Sequence, residues 1–497
     1  MEPVKWPLED AQAPRPVHAR WVICGVLTLE TAVHLKGESR AIVDMPVLRH
    51  PIEGRPLLPG TTLGGCLRSA LADRLAGYRT EPDEANKKRI ALLFGAERRD
   101  PYGSQSPLVI YDALGELPEG LAVEIRDGVA IDPETGVAEA HKKFDFEVLP
   151  AGTRFPVRVD MILPAPGGGD ERELLSLLAA ALDAFSDGEA HLGARRSRGL
   201  GKTRAVWSAR RFDLTSEQGW IEWLLTDHED PLREEAECTT ALEAIRAACP
   251  HELLPLDPPH DRRNRIRIKF SVSPVHDILI RSPSSEPEGP DVSHLRSAGK
   301  PVLPGTSVAG ALRARALRIA RLVREDKQDG DLWVERLLGP RMRDREESRQ
   351  MQPAASRLRI AEVFIENSRP RTQTRIALDR FTQAVAEGAL FQERTEEGGS
   401  AAVTMELLNP EHGELGLVLL LLKDVLHGRL PFGGSSSVGR GWMRGVVRVV
   451  FPDGRSVVLE PGQAPQGDAA EEIEKAIRAF HEAPALKRTQ DGRIRHV

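Results

Sequence analysis

The stretch Leu57–Arg68 reads LLPGTTLGGCLR, and Val302–Arg313 repeats it as VLPGTSVAGALR, 245 residues further along the chain. Seven of the twelve positions are identical. In both stretches a Pro-Gly turn precedes hydroxyl residues that can cap a helix, and apolar residues then recur every three or four positions. Each stretch predicts a turn followed by an amphipathic helix, and the pair indicates an internal duplication.

Further landmarks occur in the same order in both halves of the chain. The paired positions are His34 and His276, Asp44 and Asp291, Arg49 and Arg296, Gly95 and Gly339, and Asp132 and Asp379. Two glycine-rich segments close the series, GARRSRGLGKTRAV at Gly193–Val206 and GGSSSVGRGWMRGV at Gly433–Val446. A chance match would not keep this order, so the sequence predicts two copies of one domain.

The length of 497 residues exceeds what one ordinary hydrophobic core accommodates. The landmarks place the first copy at residues 17–212 and the second at residues 265–459. Between them, residues 213–264 hold two tryptophans and helix-like stretches, which favours a folded helical connector over a flexible linker. Residues 460–497 form a C-terminal tail with one short amphipathic helix.

The pattern inside one copy indicates the fold class. Trp21–Leu29 is rich in apolar and β-branched residues, and Thr153–Leu163 alternates, so both are predicted strands. Leu174–Phe185 is predicted to be a helix, and the glycine-rich segment leads into a last strand. Strand, helix, strands, helix and strand is the ferredoxin-like plan. We therefore expect an α+β fold with two tandem ferredoxin-like (RRM-like) domains.

Bulk properties exclude several classes of protein. The net charge of -6 means that a nucleic-acid surface would have to be local. The longest apolar run is far too short for a membrane span, and the first twenty residues lack the apolar core of a signal peptide. A cytoplasmic protein that does not enter a membrane is expected. Cys238 and Cys249 lie near His228 and His251, but the spacing fits no standard zinc finger, so plain thiols are the simpler interpretation.

The glycine-rich segments are candidate phosphate contacts. Glycine lets the backbone approach a phosphate closely, and the first segment adds clustered cations that suit a phosphodiester chain. In the second segment Ser435, Ser436 and Val438 stand where the first has arginines. Gly201-Lys202-Thr203 lacks the first glycine and the preceding strand of a P-loop, which excludes a nucleoside-triphosphatase. The candidate RNA-contacting residues are His34, Arg49, Arg68, Gly193, Arg195, Arg196, Arg198, Gly199, Gly201, Lys202, His276, Arg296, Arg313, Gly433, Gly434, Gly439, Arg440 and Gly441.

Asp44 and Asp291 are candidate catalytic residues. A lone loop aspartate is most often a turn former, but these two recur at the same distance before an arginine and just upstream of the Pro-Gly turn. The second loop is two residues shorter than the first, and Asp277 is a rival to Asp291.

These segments resemble the RAMP superfamily of CRISPR-associated proteins in the helix start and the glycine-rich loop. Glu124–Phe155 and the stretch IVDMPVLRHPIEGRPLLPG are similar to the repeated backbone subunit of type III effector complexes. Two such domains in one chain resemble the fused subunits of the type III-D branch. The resemblance covers both copies, but neither the connector nor the tail.

The resemblance implies a palm with an inserted β-hairpin thumb in each copy, here around Ile125–Phe146 and Ile376–Leu390. The palms would hold a CRISPR guide RNA beside other type III effector subunits, and the thumbs would flip bases out. Asp44 and Asp291 would cut a bound single-stranded target RNA with a divalent metal such as Mg²⁺, by attack of the neighbouring 2′-hydroxyl. The metal ligands are not assigned by the sequence.

Two other functions stay open at this point. A scaffold would hold guide RNA with the same palms and loops and never cut. A guide-processing endoribonuclease also has two ferredoxin-like domains, but it usually carries one glycine-rich loop, and this chain has two. An unrelated phosphate-binding metabolic enzyme fits the repeat and the basic loop poorly.

Overall fold

The computed structural model describes residues 17–38, 43–96, 105–132, 135–164, 170–226, 237–283, 289–324, 326–340, 354–489 and 494–496. Within these residues the chain forms two ferredoxin-like domains in tandem, which confirms the expected α+β class. Of the residues singled out above, His228 and the stretch before Val17 lie outside the described residues. None of the described helices is long and apolar enough to cross a membrane.

The first copy is built around a four-stranded antiparallel sheet. In chain order its elements are β1 (Val17–Leu29), β2 (Leu57–Leu58), α1 (Gly60–Ala76), α2 (Glu84–Phe94), β3 (Leu108–Ile110), β4 (Ala113–Leu114), β5 (Glu124–Ile131), β6 (Ala138–Val148), β7 (Arg154–Pro164), α3 (Glu171–Ser186) and β8 (Thr203–Asp213). The sheet order is β3-β7-β1-β8, as the ferredoxin-like plan requires. β5 and β6 form a separate hairpin that projects from this palm.

In the described part of the connector, two helices fold onto the first copy, α4 (Glu217–Leu225) and α5 (Ala241–Ala247). Ser216 caps α4 with its side chain. The Asp183 carboxylate on α3 accepts the Ala241 N–H at the start of α5, at 2.5 Å. Caps of this kind satisfy the free backbone donors of a helix start, so both short helices have defined beginnings.

The second copy repeats the plan with more strands. Its elements are β9 (Arg265–Pro274), β10 (Asp277–Ile278), β11 (Arg281–Pro283), β12 (Val292–His294), β13 (Arg296–Ser297), β14 (Lys300–Leu303), α6 (Gly305–Val323), α7 (Lys327–Leu338), β15 (Leu358–Ile360), β16 (Val363–Phe364), β17 (Arg369–Arg375), β18 (Phe391–Glu397), β19 (Ala401–Leu408), α8 (Glu414–Leu426), β20 (Met443–Val450) and β21 (Ser456–Leu459). The palm sheet has the order β15-β19-β9-β20-β21, and β17 and β18 form the hairpin.

The C-terminal segment completes the core of the second copy. It forms α9 (Ala470–Glu482), β22 (Leu486–Arg488) and β23 (Ile494–His496), so the short helix expected there is present. Phe480 is fully buried with its ring against Trp333, at 5.1 Å between centroids. A Cβ at Gly416 would overlap the backbone of α9, so α8 and α9 pack closely enough to need glycine there.

The two copies are joined by a buried ion pair. Arg126, on β5 of the first hairpin, donates to both carboxylate oxygens of Glu362 in the second copy, at 2.5 and 3.0 Å. Only 4% of Arg126 and 5% of Glu362 are exposed. Burial alone would lower the pKa of Arg126, but the carboxylates of Glu362 and Glu124 together outweigh it and raise that pKa. Beside the pair, the Glu124 carboxylate accepts the Ala298 N–H at 2.7 Å.

Candidate nucleic-acid interface

Each copy carries a β-hairpin with exposed apolar side chains. In the first copy the hairpin is β5–β6, where the thumb was predicted; in the second, the predicted segment Ile376–Leu390 is the tip between β17 and β18. Phe381 at that tip is 90% exposed. The exposed apolar side chains of the two hairpins are Ile125, Val129, Ile131, Val137, Ile376, Leu378, Phe381, Val385 and Leu390. Such groups suit contact with the flat faces of unpaired bases.

Asp132 and Asp379, the landmark pair within the hairpins, are turn formers. The Asp132 carboxylate accepts the Thr135 N–H at 2.8 Å. The Asp379 carboxylate accepts the N–H groups of Phe381 and Thr382, at 3.0 and 2.8 Å. These hydrogen bonds, together with the one from the Thr382 hydroxyl, lower the pKa of Asp379. The shared residue therefore shapes the two hairpin tips in the same way.

Asp44 and Asp291 occupy the same place in the two copies. Both are exposed, and each carboxylate accepts the backbone N–H of the hairpin residue 101 positions further on. Asp145 N lies 3.1 Å from Asp44 Oδ2, and Gln392 N lies 2.7 Å from Asp291 Oδ2. Asp291, and not its rival Asp277, is therefore the counterpart of Asp44 at the base of the hairpin.

The surroundings of the two aspartates differ in one polar group. In the first copy the hydrogen bonding is reciprocal, because Asp44 N also donates to Oδ1 of Asp145 at 2.7 Å. A second carboxylate, that of Asp145, thus bonds to the backbone of Asp44. In the second copy Gln392 stands where the first has Asp145, so Asp291 has no second carboxylate at that position.

His34 lies beside this site and is only 2% exposed. Its Nδ1 donates to the Glu147 carbonyl oxygen at 2.8 Å, so Nε2 carries the lone pair, and Nε2 has no hydrogen-bond partner among the described residues. Burial lowers the pKa of the imidazole, which favours the neutral ring. The His34 ring meets the edge of Phe146, and the Arg195 guanidinium lies 4.2 Å from the centre of the same Phe146 ring.

The second copy has Leu279 where the first has His34. The Ala194 N–H bonds to the His34 carbonyl, and the Gly434 N–H bonds to the Leu279 carbonyl in the same way. His276 stands three positions earlier and is exposed. The structure corrects the expected pairing of the two histidines, because position at the end of a strand does not fix the register of the repeat.

The two glycine-rich loops share one backbone conformation. Arg195 and Ser435 have φ values of 59° and 60°, in the left-handed region, and each begins a single 3₁₀ turn. Glycine is required at Gly201 and Gly441, where a Cβ would overlap the carbonyl oxygens of Leu192 and Phe432, respectively. The other loop glycines with positive φ are Gly193, Gly199, Gly433 and Gly439. The glycines thus shape the loops themselves, whatever the loops bind.

Loop one, residues 193–201, packs against the second copy. Arg198 Nη2 donates to the Leu338 carbonyl at 3.1 Å, and burial lowers the pKa of Arg198. A Cβ at Gly199 would overlap the backbone nitrogen of Glu362. Arg198 is therefore a residue of the joint, which differs from its expected role, while Arg196 stays exposed.

Loop two, residues 433–441, has no such neighbour among the described residues. Val438, in the place of Arg198, is 58% exposed, and a Cβ at Gly439 would meet open space. The same backbone shape therefore closes the joint in one copy and faces outward in the other.

Arg440 does not face a phosphate site as expected. It is buried between Asp277 and Glu393, with Nε–Oδ2 and Nη1–Oε2 distances of 3.1 and 2.5 Å. The first copy has Leu200 in this place, packed in a small apolar cluster with Phe146. A buried arginine of this kind balances the charge of the neighbouring carboxylates, so its own charge does not reach a phosphate outside the protein.

Two further arginines of the second copy also have partners within the protein. Arg313 Nη2 donates to the carbonyls of Leu338 and Gly339 at 2.6 and 2.8 Å, and burial lowers its pKa to about 10. Arg296 pairs with the Glu396 carboxylate. Arg313 thus binds the carboxyl end of α7, where a cation is favourable.

Three candidate cations of the first copy lie at or near the surface. Arg49 is 3.5 Å from the Glu147 carboxylate with 41% of its side chain exposed. Lys202 pairs with Glu30 at 2.9 Å near the surface. Arg68, on α1, is half-buried. Arg49 and Arg195 therefore lie beside the first hairpin together with His34 and Asp44.

The paired carboxylates of the first copy fit a divalent cation. Mg²⁺ is usually held by one or two carboxylates together with water and substrate phosphate oxygens. Asp44 and Asp145 offer two such groups, and Asp291 offers one. Within the described ranges no group of three or more His, Cys, Asp or Glu could hold a metal, Cys238 and Cys249 included. RNA phosphate would therefore have to complete the coordination.

Comparison with known proteins agrees with this geometry. The search of curated proteins found no match. The model of the RAMP superfamily matches residues 26–204 and 272–444, which is more than half of the chain and falls once on each palm. With palm, hairpin and glycine-rich loop built twice, the chain belongs to the RAMP superfamily, whose members are RNA-binding subunits of CRISPR complexes.

Proposed function

We propose that this chain is a double backbone subunit of a type III CRISPR effector complex, of the type III-D kind. Its two palms hold guide RNA in series, and its hairpins separate the bases of the guide–target duplex. The observation that carries the proposal is the repeated unit of an apolar hairpin with an exposed aspartate at its base.

The hairpins support binding to unpaired bases. A side chain such as Phe381 costs free energy when it stands alone in water, and a base face removes that exposed surface. Arg49 is exposed beside the first hairpin and Arg196 is exposed on loop one, and both suit the sugar–phosphate backbone. Binding of this kind depends little on sequence, because the contacts reach backbone and base faces and not base edges.

We further propose that Asp44 directs cutting of the target RNA. A flipped nucleotide leaves the 2′-oxygen free to attack the adjacent phosphorus in line; the bond to the 5′-oxygen breaks, that oxygen takes a proton from water, and a 2′,3′-cyclic phosphate and a 5′-hydroxyl result. Asp44 positions the 2′-hydroxyl or accepts its proton, while Asp145 holds Asp44 through their reciprocal hydrogen bonds. Mg²⁺ held by these two carboxylates would neutralise charge on the reacting phosphate.

Asp291 is proposed to direct a second, slower cut. It has the same hydrogen bond to its hairpin as Asp44, which supports the same role. It lacks the second carboxylate, and Leu279 replaces the imidazole of His34. A second copy that binds RNA but cuts it poorly would act mainly as a scaffold.

The shape and exposure of loop two suggest that it contacts a neighbouring subunit. Loop one docks on the start of α6 in the second copy, where a Cβ at Gly305 would overlap the Arg198 carbonyl. Loop two has the same shape and an exposed Val438. We propose that it docks in the same manner on another subunit of the complex.

The test is cleavage mapping with the assembled complex and an end-labelled target RNA. Asp44→Ala is expected to abolish one cut and Asp291→Ala a neighbouring one, with target binding retained, because affinity comes from base pairing and many backbone contacts. Asp257→Ala, an exposed aspartate of the connector, is the matched control and should leave both cuts. If Asp44→Ala cuts at every wild-type position, the scaffold function replaces the catalytic one for the first copy.

A further inference from the structure

The second palm sheet has an outer face that is strongly basic. This outer face is the side of β9 and β20 turned away from the helices, where every second residue of β9 is exposed. Its members are Arg267, Lys269, Ser271 and Ser273 on β9 and Arg444, Val446 and Arg448 on β20. It is separate from the hairpins, the aspartates and loops one and two, although Arg444 and Val446 stand at the end of the segment Gly433–Val446.

Positively charged side chains face each other on the outer face. Lys269 stands directly opposite Arg448 in the strand register, which puts their Cβ atoms about 5 Å apart, and like charges in this position are destabilising. In the part of the chain that the structure describes, Lys269, Arg444 and Arg448 have no ion-pair partner. Arg267, at the end of the face, lies 3.9 Å from the carboxylates of both Glu406 and Glu189. The arrangement therefore leaves uncompensated positive charge on an open surface.

The first copy shows that the fold does not need these charges. The repeat offset of 245 residues puts Lys269 where the first copy has Cys24, and Ser208 is the register partner of Cys24 as Arg448 is of Lys269. Cys24 is fully buried there, because its face of the sheet packs with Phe212 and is partly covered by Trp223 of the connector. In the second copy this face is open and charged.

We propose that the outer face binds the sugar–phosphate backbone of a single-stranded RNA segment; this rests on the proposed RNA-binding function of the chain. Same-face residues along a strand are spaced about 6.7 Å apart, so the cations and the hydroxyls of Ser271 and Ser273 form a regular linear array of donors. A linear polyanion matches this array. The face carries no aromatic side chain, so it holds backbone and does not stack bases.

The test compares the salt dependence of RNA binding in two variants of the full chain. Lys269→Gln with Arg448→Gln removes the opposed pair, and Lys475→Gln with Arg478→Gln removes two exposed charges from α9 as the matched control. The probe is a fluorescein-labelled 20-nucleotide polyuridine, titrated at several KCl concentrations. The slope of log K against log salt is expected to fall by about 1.4 in the first variant, at about 0.7 for each lost contact, and to stay unchanged in the control.

Thermal unfolding checks that the first variant folds, and its midpoint should equal or exceed that of the wild type, since a like-charge pair is relieved. Equal slopes and affinities for variant and wild type overturn the proposal, as does an equal fall in the control. Polyglutamate is the competing ligand: if the variant loses affinity for polyglutamate and keeps it for RNA, the face is a site for an acidic protein and the proposal is wrong.

The outcome also separates this inference from the proposed function. If Phe381→Ala weakens RNA binding and the outer-face variant does not, only the outer-face site is wrong. A wild-type chain that fails to bind polyuridine at low salt overturns both.

Discussion

Arg126 and Glu362 face each other as a buried, bidentate ion pair that joins the first hairpin to the second copy. Arg126→Ala would leave the Glu362 carboxylate buried without a partner, at a cost of about 3–5 kcal/mol in the free energy of unfolding. We expect a clear fall in the denaturant midpoint of the transition that includes the joint.

The control for this prediction is the equivalent exposed pair of the second hairpin. Arg371 and Glu397 lie 3.4 Å apart with about half of each side chain exposed, and Arg371→Ala should cost about 1 kcal/mol or less. The double variant Arg126→Met, Glu362→Leu should recover most of the loss, because neither charge of the pair is then left buried. Equal midpoints for Arg126→Ala and Arg371→Ala would contradict the structural role of the pair.

Gly199 and Gly439 offer a second internal comparison. Both have positive φ, 86° and 91°, so alanine at either position strains the backbone by about 1–2 kcal/mol. Only Gly199 also has the Glu362 backbone within overlap distance of a Cβ. Gly199→Ala should therefore destabilise the isolated chain more than Gly439→Ala, as measured by urea unfolding; the reverse order would mean that loop one does not close the joint.

Arg440 and Arg444 are four residues apart and have opposite environments. Arg440→Ala leaves Asp277 and Glu393 without their shared partner and should cost about 3–5 kcal/mol. Arg444 is exposed on the outer face, so Arg444→Ala should change stability by no more than about 0.5 kcal/mol. Thermal melts of the two variants check this, and a large loss in Arg444→Ala would show that the outer face is structural.

These arginines also show how far a sequence can be interpreted. The helix starts at Gly60 and Gly305 were predictable, because a Pro-Gly turn and a periodic apolar stripe are local signals. The burial of Arg440 was not, because it depends on Glu393, which is distant in the sequence. In the same way, the position of Arg198 at the joint requires knowledge of how the two copies pack.

The candidate site was also predictable only in part. Asp44 and Asp291 were found because their distance to a following arginine recurs, and the structure places both at the base of a hairpin. His276 was matched to His34 because each follows a strand-like run, while register makes Leu279 the counterpart. The outer face was missed because alternation in β9 predicts one exposed side but does not say that this side stays uncovered.

Asp183 makes the packing of the connector pH-dependent. Burial raises the pKa of this carboxyl to about 6, against an ordinary value of 3.8, although it accepts the N–H groups of Ala241 and Leu242. The folded state then binds the proton more tightly than the unfolded state does, so this group's contribution to stability is full below pH 3.8 and is lost as the pH rises through about 6.

Asp183→Asn should remove this dependence, because an amide keeps an acceptor oxygen and does not titrate. The difference in unfolding free energy between the variant and the wild type should shift in favour of the variant between pH 4 and pH 6, and level off above that range. Parallel urea titrations at several pH values measure it. A difference that does not change with pH would mean that the carboxyl titrates normally.

Phe381 tests the role of the hairpins with the least ambiguity, because its side chain is 90% exposed at the tip of the second hairpin. Phe381→Ala removes almost no packing, so the free energy of unfolding should change by about 0.5 kcal/mol or less. If the ring stacks on a base, the same substitution should weaken RNA binding by about 1–3 kcal/mol.

Leu224→Ala, which removes another highly exposed apolar side chain from α4, is the matched control and should leave RNA binding unchanged. Fluorescence anisotropy with a labelled single strand and a thermal melt measure both quantities. A loss of RNA binding in Phe381→Ala alone, without loss of stability, identifies the hairpin as a base-contacting element; equal binding by all three proteins would remove the observation on which the proposed function depends.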